Sequence, residues 1–253
     1  MNLAGKRAVI TGGGRGIGAA IAKVLADAGV GVLVAARSQS EVDAVAKALR
    51  AQGHRAGAAS ADVSRPESVA ALARAATEVL GEIDILINNA GSSSSAPLKR
   101  ITLDEWNRLL AVNATSTFLC TQAFLPGMLE RKWGRVVNIA SVAGLHGAKY
   151  IAAYSAAKHA VVGFTRSMAA EVAGSGVTVN AVCPGYVDTP MTDQSLDRIM
   201  QSTGKSRTEA LEAVLAHSGQ SGLITADEVA GAVLAVCLGS ENGATVELRD
   251  HQP

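Results

Sequence analysis

The chain has almost no excess charge: 23 basic side chains stand against 22 acidic ones, a formal net charge of +1 over 253 residues. That balance argues against an electrostatic grip on nucleic acid or an anionic membrane, either of which needs a clustered basic face. Cysteine is scarce as well. Cys120, Cys183 and Cys237 are odd in number and far apart, with no Cys-x-x-Cys pair and no histidines at metal-ligand spacing. No metal site is indicated, and reduced, buried thiols are expected. No apolar run approaches the ~18 residues that span a bilayer, and Met1-Asn2-Leu3-Ala4-Gly5-Lys6-Arg7 lacks the apolar stretch of a secretion signal. These absences point to a soluble, cytoplasmic protein whose partner is a small molecule, with no nucleic-acid or membrane partner.

What is present is a large apolar fraction, 48% of the residues, enough for one core. α/β folds of roughly 200–250 residues often form one domain, and no composition break or internal repeat divides this chain, so one domain over 1–253 is expected. Short apolar runs of strand length recur at 8–10, 30–36, 83–87, 135–139 and 177–182. Between them, 19–28, 41–51, 67–80, 103–131 and 154–173 carry apolar residues at helical spacing. Near-continuous apolar strands alternating with helices predict a doubly wound, Rossmann-like parallel sheet, with its ligand crevice at the carboxyl ends of the strands. One connection, 191–222, is far longer than the usual ~2–6 residues. Leu196, Ile199 and Met200, then Leu211, Val214 and Leu215, predict two short helices there, arranged as a lid.

After the first strand comes Thr11-Gly12-Gly13-Gly14-Arg15-Gly16-Ile17-Gly18. Glycines let a backbone turn approach a pyrophosphate, and a helix amino terminus offers free N–H groups to it. A glycine-rich turn can also be no more than a tight connection. Its place after the first strand of a parallel pattern favours a nucleotide site, and the lack of Gly-Lys-Ser/Thr excludes a phosphate-transfer loop. Selectivity for NAD would require an acid about 20 residues further on. The second strand ends instead in Val34-Ala35-Ala36-Arg37-Ser38, with no carboxylate before Glu41. Arg37, aided by Arg15, can pair with a ribose 2′-phosphate, which favours NADP(H) over NAD(H). The alternative is that both arginines are solvated surface residues.

Tyr154 and Lys158 stand four residues apart at the start of a helical segment, so phenol and ammonium share a face. That spacing alone describes any amphipathic helix. It gains meaning from Ser141, which ends the strand at 135–139 and so reaches the rim of the same crevice.

On these residues the chain resembles the short-chain dehydrogenase/reductase family in its single-domain form, over nearly its whole length. The glycine motif matches Thr11 to Gly18, the acidic residue near the adenine matches Asp62-Val63, and Asn-Asn-Ala-Gly matches Asn88 to Gly91. The resemblance implies an Asn113, Ser141, Tyr154, Lys158 catalytic tetrad and a cofactor-contacting Thr189 after Pro184-Gly185. The implied cofactor contacts are then Gly12, Arg15, Gly16, Ile17, Gly18, Arg37, Asp62, Val63, Asn89, Gly91, Tyr154, Lys158, Val187 and Thr189. It also implies a homo-oligomer, tetramer or dimer. The tail, Val246 to Pro253, departs from the family's Asp-Gly-Gly ending.

A free tyrosine has a pKa of about 10, and nearby cations lower it. Lys158 and an oxidised nicotinamide are therefore expected to bring Tyr154 towards neutrality, where it can trade a proton. Ser141 would hold the carbonyl oxygen, Lys158 the nicotinamide ribose, and Asn113 a water relaying protons to Lys158. His146 and His159 lack metal-ligand partners and are not expected to act; Trp106 and Trp133 are expected to pack against protein. The resulting expectation is an NADP(H)-dependent oxidoreductase of a carbonyl or secondary alcohol, with a 3-oxoacyl thioester or related ketone first in line. The competing class is a catalytically silent dinucleotide-binding subunit. A sugar-nucleotide epimerase is disfavoured by glycine spacing and by length.

Overall fold

The computed structural model describes residues 2–249; of the atypical tail from Val246 to Pro253, residues 250–253 lie outside the described residues. Seven strands form one sheet in the order β3-β2-β1-β4-β5-β6-β7. They are β1 (Arg7–Thr11), β2 (Gly31–Ala36), β3 (Ala56–Ser60), β4 (Ile85–Asn88), β5 (Gly134–Ile139), β6 (Val177–Pro184) and β7 (Thr245–Leu248). Every pairing is parallel. The order reverses between β1 and β4, and that switch point opens a crevice at the carboxyl ends of the strands.

The apolar strands are explained by what covers them. In β1 and β2, Ala8, Ile10, Val32 and Val34 point to one face, where they pack with α1 (Gly16–Asp27), α2 (Gln39–Ala51) and α9 (Ala226–Leu238). Val9, Leu33 and Ala35 point to the other, against α3 (Pro66–Leu80), α5 (Ser116–Glu130) and α6 (Ala152–Glu171). Both sets are buried, so no polar alternation survives in the sequence.

The helix expected over 103–131 is interrupted. It divides into α4 (Leu103–Leu110) and α5 around a π turn, Ala111–Thr115. Side chains compete with the backbone ladder there. Ser116 Oγ donates to the Val112 carbonyl at 2.7 Å, Thr117 Oγ1 to that of Asn113 at 2.8 Å, and Asn113 Nδ2 to that of Leu109 at 2.9 Å. The long connection does hold two helices, α7 (Pro190–Thr203) and α8 (Arg207–Ser218), hinged at Gly204 in the left-handed region. Leu196, Ala210 and Val214 are the buried seam between them.

Trp133 packs against the core, with the Lys6 ammonium 3.7 Å from its ring centre. Among the described residues no helix is long and apolar enough to cross a membrane, and no group of three or more His, Cys, Asp or Glu could hold a metal ion.

Candidate active site

The glycine turn joins β1 to α1. Gly12 has φ +64°, and a Cβ on Gly18 would lie 2.2 Å from the Gly12 carbonyl oxygen, so side chains are excluded at both positions. Asn89, just past β4, locks the turn from behind: its Nδ2 donates to the carbonyls of Thr11 at 2.9 Å and Gly12 at 3.1 Å. Its neighbour Ala90 and Asn89 itself both donate backbone N–H to Thr11 Oγ1. Asn89, expected to contact cofactor, thus also holds the glycine loop through its side-chain amide.

At the start of α1 the N-cap residue, Arg15, supplies no side-chain cap and the first turn carries no acid. The first amides of a helix have no partner within it, and their dipole favours an anion. Uncapped amides beside a backbone stripped of Cβ atoms fit a dinucleotide pyrophosphate. Gly16 (φ +52°) brings this loop to Thr189, whose Cγ2 lies 3.4 Å from where a Gly16 Cβ would stand. Ile17 turns inward onto the core.

Arg37 is exposed immediately after β2. Arg15 is exposed too, but its Nη1 donates to Glu41 Oε1 at 3.2 Å, and Glu41 folds back over the loop close enough to exclude a Cβ on Gly14. The Glu41 carboxylate thus reaches the site from the first turn of α2. Val63 is buried. Asp62 accepts from the Ser64 hydroxyl at 2.6 Å; that bond, with smaller help from the Arg37 and Arg65 charges, holds its carboxyl below the usual range.

Tyr154 lies in the first turn of α6, and Ser141 follows β5 by two residues, so both reach the crevice from adjacent elements. Ser141 Oγ accepts from the Ala143 N–H at 3.1 Å and lies near enough to the Tyr154 phenol to favour its ionised form. Lys158 is buried, and its Nζ donates to the Ile139 carbonyl at 2.8 Å while sitting 5.9 Å from the centre of the Tyr154 ring. Asn113 is buried in the π turn; its Nδ2 donates to the Ser92 carbonyl at 3.0 Å and its Oδ1 accepts from the Ser92 N–H at 3.3 Å. A Cβ on Gly91 would lie 2.7 Å from Asn113 Oδ1 and 3.5 Å from Lys158 Nζ, so Asn113, Gly91 and Lys158 border one space.

The protein alone does not bring Tyr154 towards neutrality: burial pushes its pKa up to about 12, against the opposing effect of Ser141, and burial brings Lys158 down to about 8. The phenol is therefore fully protonated across the physiological range, as a proton donor must be, and Lys158 stays mostly charged at pH 7.

Three features escaped sequence reasoning. Asn88 Nδ2 donates to Asn138 Oδ1 at 2.9 Å, and Asn138 Nδ2 to Thr165 Oγ1 at 2.9 Å, a buried chain tying β4 and β5 to α6 beneath the site. Tyr186 approaches Tyr154 closely enough for its charge state to bear on that phenol. Gln220, in the return from α8, hydrogen-bonds both peptide groups of Tyr186. Only the Asn-Asn dipeptide at Asn88 hinted at any of these.

Comparison with known proteins agrees with this geometry. Residues 6–199 match the family described as short chain dehydrogenase. The D-beta-hydroxybutyrate dehydrogenase of Cupriavidus necator is 38% identical over 240 residues, covering 94% of this chain and 92% of that one. The 3-oxoacyl-[acyl-carrier-protein] reductase of Vibrio cholerae is 44% identical over 192 residues, covering 76% and 78%. Among solved structures, an actinorhodin polyketide ketoreductase variant with NADPH superimposes with a TM-score of 0.91 at 35% identity, covering 96% of this chain and 95% of that one. The chain belongs to the short-chain dehydrogenase/reductase family, as a nicotinamide-dependent oxidoreductase acting on a carbonyl or alcohol.

Proposed function

We propose that this protein, one domain over 1–253, is an NADP(H)-dependent reductase of 3-oxoacyl thioesters or related ketones. The observation that carries the reading is the convergence of Ser141, Tyr154 and Lys158 at the carboxyl end of β5, facing the glycine turn across the switch point. The D-beta-hydroxybutyrate and 3-oxoacyl relatives share chemistry at the third carbon of an acyl group, which favours that substrate class. NADP(H) is favoured over NAD(H) by exposed Arg37 at the end of β2, with Arg15 shared between a 2′-phosphate and Glu41.

A reduced nicotinamide, when bound, supplies the hydride taken up by the carbonyl carbon. Gly12, Gly16, Ile17 and Gly18 would leave room for its pyrophosphate at the α1 terminus, and Asp62, Val63, Asn89, Gly91, Val187 and Thr189 would hold the rest of it. Ser141 and Tyr154 hold the carbonyl oxygen by donated hydrogen bonds, which strengthen as negative charge develops on it. Tyr154 then releases its proton to that oxygen. The Lys158 ammonium stabilises the phenolate left behind, and a water beside Asn113 re-supplies protons through Lys158. The helices α7 and α8 close over the substrate.

The exposed Phe118 ring packs edge-on to Phe164, 6.4 Å away, on neighbouring α5 and α6, which supports a homo-oligomer built on this face. Three buried, unpaired cysteines support a cytoplasmic setting. The test is NADPH oxidation, followed by absorbance, against acetoacetyl-coenzyme A, simple 3-oxo esters, steroids and sugars, with NADH in parallel. Turnover greatest with a 3-oxoacyl compound and NADPH is expected. NADPH binding without turnover on any carbonyl would favour a silent subunit instead.

A further inference from the structure

Gln220 is a buried polar side chain that the proton-transfer chemistry does not use. It follows Gly219, which ends α8 in the left-handed region, in the short return towards α9. Its amide is committed to one remote residue. Oε1 accepts from the Tyr186 N–H at 2.7 Å, and Nε2 donates to the Tyr186 carbonyl at 3.2 Å and to that of Gly222 at 3.2 Å. One amide reading both the donor and the acceptor of a residue does what a neighbouring strand would do.

Real strand pairing continues the contact. Val187 bridges Ile224 in parallel, with the Asp188 N–H donating to the Ile224 carbonyl at 2.8 Å and the Ile224 N–H to that of Tyr186 at 3.0 Å. Gly185 is the counterpart of this lacing. A Cβ there would meet Gln220 first, 2.3 Å from Oε1 and 2.6 Å from Cδ, and the glutamine is pinned by three hydrogen bonds.

The turn so held, 185–189, touches both the two-helix connection and the glycine turn. Tyr186 packs on the seam between α7 and α8, and Thr189 meets the glycine turn at Gly16. Thr192 Oγ1, in the first turn of α7, donates to the Val187 carbonyl at 2.6 Å. We propose that Gln220 is a positioning residue for cofactor binding: its side-chain amide sets the 185–189 turn in the conformation in which Val187 and Thr189 meet the dinucleotide. The inference rests on the reading of Val187 and Thr189 as cofactor contacts.

The test titrates NADPH by fluorescence into wild type, Gln220→Ala, Gln220→Leu, Gly185→Ala, the Gly185→Ala/Gln220→Ala pair, and Thr189→Val as the control for the cofactor reading. Gln220→Leu keeps the buried volume, which protects the result against simple collapse. Each single change at 185 or 220 is expected to weaken NADPH about three- to thirtyfold, the range of one or two hydrogen bonds. The pair should be no weaker than its worse member, because a Cβ at Gly185 first meets the glutamine amide and evicts it. A merely structural role lowers the bound stoichiometry and leaves the Kd of the remaining sites unchanged. Wild-type Kd in Gln220→Leu and Gly185→Ala with a weakened Thr189→Val overturns the role of Gln220. Wild-type Kd in all of them overturns the reading of the 185–189 turn together with it.

Discussion

Replacing Lys158 by methionine removes a charge that folding disfavours, and the effect has a definite pH signature. Burial carries the Lys158 ammonium from its ordinary 10.5 down to about 8, equivalent to about 3 kcal/mol against the charged form in the native state. The native protein therefore holds this proton less tightly than the unfolded chain. Below about pH 8 both states are protonated and the full penalty applies. Between about pH 8 and 10.5 the native amine is neutral while the unfolded one is still charged, so each pH unit restores up to about 1.4 kcal/mol of stability. Methionine has no proton to lose and shows none of this. Loss of the hydrogen bond to the Ile139 carbonyl shifts the variant by about 1 kcal/mol, but by the same amount at every pH. Tyr154 acts in the opposite sense: with its pKa raised to about 12, it lowers stability only above about pH 10, where the unfolded phenol ionises. Urea unfolding of cofactor-free protein, followed by circular dichroism at one protein concentration from pH 7 to 10, isolates the lysine. Wild type should gain about 2–3 kcal/mol on Lys158→Met across that range. A difference flat to within about 0.5 kcal/mol would refute the assigned burial of a charged ammonium.

Arg37→Asp should weaken NADPH about ten- to a hundredfold, by loss of a charge-assisted contact and added repulsion, and should improve NADH. The ratio of kcat/KM for the two cofactors at one ionic strength checks this, and an unchanged ratio would show the end of β2 to be misread. Hydrogen exchange over 191–222 should slow when cofactor and substrate are both bound, because α7 and α8 share a small apolar seam of their own and α7 reaches the crevice mouth through the exposed contact of Arg198 Nη1 with the Ser93 carbonyl at 3.0 Å. Equal protection in free and ternary forms counts against a lid. Gly18→Ala drives a Cβ into the Gly12 carbonyl and Asn89 Nδ2. It should cost about 1–3 kcal/mol in urea unfolding and most of the NADPH affinity; wild-type binding would dispose of the close-packed turn.

How much of this was legible beforehand depended on how local the signal was. β1, β2, β4, β5 and β6 read clearly because burial on both faces makes each a short apolar block. β3 did not, since Ala-Gly-Ala-Ala-Ser carries no β-branched or aromatic residue and takes its conformation from pairing with β2. β7 is a four-residue edge strand, half-buried throughout, and α9 is apolar enough to hide its periodicity. The π turn at 111–115 falls inside a sound helical pattern, and the hydroxyls that create it look like ordinary helix residues. In the site, Tyr154 and Lys158 share a helical face that any amphipathic helix could show, and they were legible only together with Ser141 and the family's motif pattern. Gln220 and Tyr186, 34 residues apart, or Asn113 and Ser92, 21 apart, meet only in the folded chain. The commitment of Arg15 to Glu41 likewise depends on α2 bending back over the loop.

In the proposed reaction, Tyr154 gives the proton that completes carbonyl reduction. Tyr154→Phe deletes one hydroxyl and almost no volume, leaving Ser141, Lys158 and the glycine turn in place. Single-turnover oxidation of bound NADPH by acetoacetyl-coenzyme A, measured by stopped flow for wild type and variant, reads the chemical step alone. NADPH affinity should be unchanged and the rate about 10²–10⁴-fold slower, the usual worth of a positioned general acid. A variant retaining more than about a third of the wild-type rate, far above what loss of such an acid leaves, would contradict that role of Tyr154.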